Sequence, residues 1–160
     1  MSQKADRYWA QFLESLPDDS QRPRQYYEMF SFGTSKESAR LITPLVLSGV
    51  KTATGSLQWL YEAEGRTPPK IGDLSIVKDS HDEPVCIIQD TEVRIIPFDE
   101  VDETFAWDGG EEDRTLESWR QIYRDYIGLE CARIGRKPTP KTPLVCERFR
   151  VVYKEPLKTE

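Results

Sequence analysis

The first apolar pattern along the chain has the period of a helix. Large apolar side chains recur three and four residues apart and then stop at a proline: Tyr8, Trp9, Phe12, Leu13, Leu16 and Pro17. Residues at this spacing share one face of a helix. The pattern therefore predicts an amphipathic helix over residues 5–17, with a polar loop over residues 17–24.

A second helix is predicted to begin at a capping box. Thr34 and Glu37 stand three residues apart, the spacing at which a threonine accepts from a first-turn amide and a glutamate reaches back. Gly49 suits the position just past the helix end. Pro44 lies inside the segment, so we expect a kink or a break into two short helices. The predicted apolar face consists of Ala39, Ile42, Leu45 and Val46.

The rest of the chain alternates between strand and helix patterns. Residues 74–78 and 85–88 form a predicted hairpin, and the strand pattern continues over residues 91–96. A long helix is predicted over residues 115–132, and side chains alternate in character over residues 145–153. Helices outside a set of mostly antiparallel strands indicate an α+β fold with a small curved sheet or barrel.

The length and net charge of the chain limit the classes of protein to which it can belong. A chain of 160 residues is predicted to form one domain. With 22 Lys and Arg against 28 Asp and Glu, its net charge of −6 argues against a protein that coats long duplex nucleic acid, although a small basic cleft is compatible with it. No stretch approaches the roughly 20 apolar residues of a membrane span, and residues 1–7 lack the apolar core of a signal peptide. We therefore expect a cytoplasmic protein without a membrane partner.

The number and spacing of the histidines and cysteines exclude further kinds of active site and metal site. The single histidine, His81, lies in a polar run and is expected on a surface turn, which excludes paired-histidine phosphodiester cleavage and a three-histidine zinc site. Cys86, Cys131 and Cys146 are widely spaced, with no pair at metal-ligand or redox spacing. Reduced thiols are therefore expected, with no metal site formed by cysteine or histidine.

The most informative segment, residues 49–57, follows a helix end and leads into a strand. Lys51 and Thr54 stand three residues apart in it. A lysine whose pKa is lowered by burial accepts a proton, and a hydroxyl beside it then acts as a nucleophile or an orienting donor. The same pair also fits a solvated lysine beside a threonine-rich strand, because this spacing is common by chance.

A second candidate segment places three acids after a glycine pair. Glu111, Glu112 and Asp113 follow Gly109 and Gly110 and precede the long helix. Like charges this close raise one another's pKa, which makes a carboxylic acid a proton donor near neutral pH. Helix capping explains the same acids equally well.

Aromatic and basic residues supply candidate binding groups. Trp59 and Tyr61 alternate with Leu60, so they either stack a nucleobase or pack in the core. Arg148 and Arg150 share one face of the last strand, where they pair with acids or line a phosphate-facing cleft. The residues alone leave both alternatives open.

Four segments together resemble a known family. They are Gly49-Val50-Lys51-Thr52-Ala53-Thr54, Gly72-Asp73-Leu74-Ser75-Ile76-Val77, Glu111-Glu112-Asp113-Arg114-Thr115-Leu116 with Trp119-Arg120, and Val145-Cys146-Glu147-Arg148-Phe149. In order and spacing they resemble the ASCH domain family in its longer bacterial form, over nearly the whole chain. The resemblance implies a single domain over residues 1–160, with a PUA-like β-barrel, flanking helices and a cleft beside the barrel.

The resemblance also implies activities directed at RNA or its modified nucleosides. Some similar members are described as ribonucleases acting on single strands, whereas shorter members are amidohydrolases that deacetylate N4-acetylcytidine through a lysine, a threonine and a glutamate. Carried over, these fall on Lys51, Thr54 and either Glu111 or Glu112, because longer members favour the first acid and shorter members the second.

The function implied first is therefore a ribonuclease on single-stranded RNA, with the amidohydrolase and a non-catalytic RNA-binding module as alternatives. The expected partner is a single RNA strand or a modified nucleoside. No cofactor is expected, although a nuclease with a divalent metal held by the acids stays open. Further substrate contacts are expected from Ser56, Trp59, Arg114 and Arg148, and Arg120 and Arg150 complete a predicted cationic cleft.

Overall fold

A computed structural model describes residues 3–17 and 22–159 of the chain. Its helices are α1 (Gln3–Ser15), α2 (Lys36–Leu47), α3 (Gln58–Glu64), α4 (Glu103–Gly109) and α5 (Leu116–Ile134). Its strands are β1 (Met29–Phe30), β2 (Ala53–Leu57), β3 (Leu74–Lys78), β4 (Pro84–Pro97) and β5 (Pro143–Tyr153). A single 3-10 turn, Phe98–Glu100, follows β4.

The strands form one sheet in the order β1-β3-β4-β5-β2. Every neighbouring pair is antiparallel except β1 with β3. The predicted α+β class is confirmed. Among the described residues, β1 and β2 are the two edges of an open sheet, so the strands do not close into the barrel that the resemblance implies. Strand β4 bends at register shifts after Ile87 and between Asp90 and Glu92, which gives the sheet its curvature.

Helices pack on both faces of this sheet because neighbouring strand residues point to opposite sides. On β3, Ile76 packs with α1, whereas Val77 packs with α2. Helices α4 and α5 bury a third apolar cluster against β2 and β5, centred on Trp119. The segment between α2 and β2, which carries Lys51, is thereby enclosed between packed elements.

Tyrosines of α5 cover the free edge of β2. The backbone N–H of Gly55 donates to the Tyr123 hydroxyl at 2.9 Å, and that of Leu57 donates to the Tyr126 hydroxyl at 3.0 Å. Along an edge strand, every second N–H group points outward, as those of Gly55 and Leu57 do. Tyrosines three residues apart on a helix lie on one face, so Tyr123 and Tyr126 can each meet one of these groups. The edge strand is therefore held against the helix.

Most of the elements predicted from periodicity are confirmed. Helix α1 ends before Pro17, α5 spans the predicted long helix, and the predicted hairpin and final strand are β3, β4 and β5. His81 is exposed on the turn between β3 and β4, as predicted. The three cysteines are free and buried. Of the loop predicted over residues 17–24, residues 18–21 lie outside the described part of the chain.

One local prediction was wrong, and one of the two alternatives given for Pro44 is excluded. The N-cap of α2 is Ser35, which accepts from the Ser38 N–H, while the Ser38 hydroxyl accepts from Ser35. The capping box therefore starts one residue later than predicted, and Glu37 instead pairs with Arg40. Pro44 does not break α2 into two, because the helix is continuous over Lys36–Leu47.

Trp59, Leu60 and Tyr61 lie in helix α3. Tyr61 alone of the three is fully buried. No helix in the described ranges has the length and apolarity needed to cross a bilayer.

Candidate functional site

Lys51 lies at the point where three segments meet. Its backbone N–H donates to the Leu45 carbonyl of α2 at 2.9 Å, and the N–H of Thr52 donates to the Asp108 carbonyl of α4 at 2.8 Å. These two bonds hold the residues just before β2 against both helices. The lysine side chain is consequently directed into the protein, and Lys51 is only 2% exposed.

The buried ammonium has two polar partners. Lys51 Nζ donates to Glu111 Oε2 at 3.0 Å and to the Gly109 carbonyl at 3.2 Å. The ring centroid of Phe32 lies 5.8 Å from the same nitrogen. Burial lowers the pKa of Lys51, and the charge and hydrogen bond of Glu111 oppose that shift. A lysine in this setting can give up and regain its proton.

Gly110 makes the approach of Glu111 to Lys51 sterically feasible. Its φ of +72° lies in the left-handed region, and a Cβ added there would lie 2.8 Å from the Val50 oxygen and 2.9 Å from Lys51 Cα. Any larger residue would push the loop away from Lys51. The glycine at this position therefore lets both Gly109 and Glu111 reach the ammonium.

Thr54 lies on β2 beside a buried tyrosine. Thr54 and Tyr123 line the same cavity, and the Tyr123 hydroxyl accepts the N–H of Gly55, the residue after Thr54, at 2.9 Å. A Cβ at Gly55 would lie 3.1 Å from the Tyr123 ring, so the glycine allows this ring to approach the strand. Burial raises the pKa of Tyr123 well above its ordinary value, so its phenol keeps its proton.

These side chains line one cavity of about 530 Å³. That volume is in the range of sites for small molecules. Its aromatic lining includes Phe30, Phe32, Tyr61 and Tyr123. Its charged or titratable lining consists of Glu28, Lys51, Arg66, Glu111, Asp125 and Glu147, together with the phenols.

Both cations of the lining already have carboxylate partners. Lys51 pairs with Glu111, and Arg66 contacts Glu28 at 3.4 Å and Glu64 at 2.8 Å. The cavity is thus partly aromatic and rich in acids. This finding differs from the cationic cleft expected from the sequence.

The comparisons with known proteins agree with this architecture. A family model described as the ASCH domain matches residues 28–153. The chain belongs to the ASCH domain family. The fold is therefore PUA-like, a fold associated with RNA binding.

Solved structures support the same assignment. The chain is similar to an ASCH domain from Lactobacillus crispatus JV V101, with 29% identity, a TM-score of 0.89 and coverage of 96% of both chains. It is also similar to a protein from Enterococcus faecalis V583, with 32% identity and a TM-score of 0.84, over 96% of this chain and 91% of that one. A hypothetical protein of 18% identity and TM-score 0.52 shares the fold. No curated protein matches the chain.

The ASCH domain brings four of the eight predicted site residues together. Lys51, Thr54, Ser56 and Glu111 all line the cavity, and the Ser56 hydroxyl lies 2.9 Å from the Tyr61 hydroxyl. Of the two candidate acids, Glu111 contacts Lys51, whereas Glu112 is exposed with a φ of +53° and does not line the cavity.

The other three predicted contacts lie elsewhere and interact with protein groups. Trp59 lies under the Arg136 guanidinium at 3.8 Å. Arg114 stacks on Trp107 at 3.9 Å. Arg148 is paired with Asp108 and with Glu92. None of the three predicted contacts lines the cavity.

The predicted Arg120 and Arg150 also lie outside this lining. Arg150 donates to the Gln89 side chain at 2.9 Å. Residues 3–17 and 22–159 contain no group of three or more His, Cys, Asp or Glu placed to hold a metal ion.

Sequence reasoning did not single out Tyr123 or Glu147 as residues of this cavity. Tyr123 lies in α5, where a hydroxyl at the end of an aromatic ring gives no periodic signal. Glu147 belongs to the alternating pattern of the last strand, in which an acid among the apolar positions Val145, Phe149 and Val151 is a visible anomaly. Both face β2 only after the sheet has formed.

Proposed function

We propose that this ASCH domain is an amidohydrolase that removes the acyl group from an N4-acylated cytosine nucleoside, with N4-acetylcytidine as the expected substrate. The observation that carries the proposal is the contact of buried Lys51 with Glu111 in the cavity that also holds Thr54. A base, a nucleophile and an acid within one small cavity are the groups that amide hydrolysis requires.

In the first half of the reaction, Thr54 Oγ attacks the acyl carbon while Lys51 Nζ takes the hydroxyl proton. That proton passes to Glu111 across the 3.0 Å hydrogen bond and then to the amine nitrogen as its bond to the acyl carbon breaks. The products are the free base and an ester on Thr54. The buried setting, which lowers the pKa of Lys51, favours the neutral amine that this step needs.

In the second half, a water attacks the ester carbon and the same groups act again. Lys51 takes a proton from the water, the bond between the acyl carbon and Thr54 Oγ breaks, and the oxygen regains a proton. The carboxylic acid leaves, and the enzyme returns to its starting state.

The negative oxygen that forms in both halves needs a donor. The Tyr123 hydroxyl accepts from Gly55 N–H, so its own proton is available for Thr54 or for an oxyanion beside it. Because burial keeps this phenol protonated, we assign the oxyanion contact to Tyr123.

Charge favours this reaction over RNA cleavage. A phosphodiester in the cavity would place its negative charge near Glu28, Glu111 and Asp125, while both lining cations already have carboxylate partners. An uncharged acylated nucleoside meets no such repulsion. The cavity is also the size of a small molecule, not of an extended strand.

Turnover of N4-acetylcytidine and of single-stranded RNA, measured side by side, tests the proposal. The wild type is expected to release cytidine, and Thr54→Val, Lys51→Ala and Glu111→Gln are each expected to lose that activity. Glu112→Gln is the matched control for Glu111→Gln, because it makes the same change one residue away and outside the cavity.

RNA cleavage without cytidine release would contradict the amidohydrolase and support the ribonuclease. RNA retention without turnover of either substrate would support the binding module. Cytidine release that survives in Thr54→Val would refute the nucleophile assignment.

A further inference from the structure

An acid, Glu147, lies beside the proposed nucleophile on the neighbouring strand, and a second acid, Asp90, lies on the strand beyond it. Glu147 of β5 is directly opposite Thr54 of β2 in the sheet register, so the two side chains project from the same face. Both line the same cavity. A substrate that presents its acyl carbon to Thr54 therefore places the adjoining atoms near the Glu147 carboxyl.

Asp90 of β4 is the second acid beside Glu147. Asp90 is 5% exposed and lies opposite Phe149 in the register of β4 with β5, so its side chain projects from the same face as that of Glu147, two residues away. Because two buried carboxylates repel each other, a proton on one of them is favoured. The Oδ1 atom of Asp90 is buried and has no hydrogen-bond partner among the described residues.

The surroundings keep the proton on this pair. Burial raises the pKa of Glu147, and the neighbouring Asp90 carboxyl raises it further. Burial also raises the pKa of Asp90. The other titratable groups that interact electrostatically with Glu147 include Glu28, Asp73, Tyr27, Tyr61 and the adjoining Cys146, and Arg66, a cation of the cavity lining, contacts Glu28. A Glu147 carboxyl that is neutral near pH 7 is both a donor and an acceptor.

We propose that Glu147 is the specificity-determining residue of the site: its protonated carboxyl donates to the ring nitrogen next to the scissile amide and accepts the amide N–H. This inference rests on the proposed function and narrows its substrate class. The substrate is an uncharged N-acylated aminoazine, such as an acylated cytosine, whose ring nitrogen and exocyclic N–H share one edge. The aromatic side chains of Phe30 and Phe32 supply a wall on which the ring lies.

Binding of cytidine, the deacylated product, tests this inference without relying on catalysis. Isothermal titration calorimetry is carried out at neutral and at alkaline pH on the wild type and the variants Glu147→Gln, Glu147→Leu and Glu112→Gln. Gln keeps a donor and an acceptor without a titrating proton, whereas Leu removes both. Glu112→Gln makes the same chemical change at an exposed residue outside the cavity.

The wild type and Glu112→Gln are expected to bind cytidine at neutral pH and to lose affinity in the alkaline range. Glu147→Gln is expected to bind at both pH values. Glu147→Leu is expected to bind about tenfold or more weakly than the wild type at neutral pH, since two hydrogen bonds are lost. A structural role alone would not make the pH dependence disappear in Glu147→Gln.

The inference is overturned if Glu147→Leu binds as the wild type does, or if Glu147→Gln shows the same alkaline loss as the wild type. Cytidine binding with this pattern but without hydrolysis of N4-acetylcytidine would contradict the proposed function alone. Hydrolysis that proceeds with unchanged substrate preference in Glu147→Leu would contradict the specificity role alone.

Discussion

The close contact of Gly110 with the backbone at Lys51 yields the sharpest test of this site. Replacing Gly110 by alanine places a Cβ within 2.8 Å of the Val50 oxygen and 2.9 Å of Lys51 Cα. The nearest atoms are all backbone atoms of Val50 and Lys51, so movement of a flexible side chain cannot relieve the overlap. The loop must therefore move, and Glu111 must move with it.

The expected magnitude has two parts. A non-glycine residue in the left-handed region costs on the order of 1 kcal/mol. Overpacking against a rigid neighbour adds about 1–3 kcal/mol. We therefore expect Gly110→Ala to lower the free energy of unfolding by about 2–4 kcal/mol.

Gly135 separates these two parts. It has the same φ of +72° and also follows a helix end, but an added Cβ there would meet nothing within 4 Å. Gly135→Ala should therefore show the conformational cost alone, on the order of 1 kcal/mol.

Urea denaturation measures the free energy of unfolding of both variants, and hydrolysis of N4-acetylcytidine measures their activity. Gly110→Ala is expected to lose stability and activity together, and Gly135→Ala only the smaller amount of stability. Equal losses of stability in the two variants, with activity retained in both, would refute the close approach of the loop to Lys51.

Three further results are expected. Ser35→Ala should lower the free energy of unfolding by about 1 kcal/mol in urea denaturation, and Thr34→Ala by less than half of that, because Ser35 is the N-cap; the reverse order would contradict the observed cap. Tyr123→Phe should reduce kcat for N4-acetylcytidine by about a hundredfold through loss of the oxyanion donor, and a Michaelis–Menten analysis with unchanged kcat would exclude that role. Because the pKa of Glu147 is raised on folding, its stabilisation is present below the ordinary glutamate pKa and is lost as pH rises through the raised value. Glu147→Gln should therefore lose less stability than the wild type when urea denaturation is repeated at rising pH from about 5 to the raised pKa of about 9, and parallel losses would contradict this assignment.

Most of the fold could be predicted from the spacing of apolar residues along the chain. Apolar side chains at helical spacing located α1 and α5, because packing buries those same faces. The proline in α2 shows where this reasoning stops. Pro44 removes one helical donor, but Ile42 and Val46 on either side of it are packed in the core, and their burial keeps the helix continuous.

In the candidate site, too, local sequence patterns predicted some features and tertiary structure decided others. The spacing of Lys51 and Thr54 and the glycine pair before Glu111 are sequence features, and they identified the two segments that meet in the cavity. The sequence did not distinguish Glu111 from Glu112, because adjacent acids have nearly the same local signal. The backbone conformation of the loop decides which of the two acids contacts Lys51: Glu111 reaches it, whereas Glu112 has a positive φ and is exposed.

The amino-acid sequence by itself determined the α+β class, the order of most elements and the family. Each of these depends on periodicity or on short motifs, which are properties of neighbouring residues. Tertiary structure decided that the cavity is acidic, that Arg114 and Arg148 contact protein groups instead of lining it, and that Glu147 lies beside Thr54. Those facts depend on strand order and burial, which bring residues 54 and 147 together across most of the chain. Long-range pairing of this kind leaves no trace in local spacing.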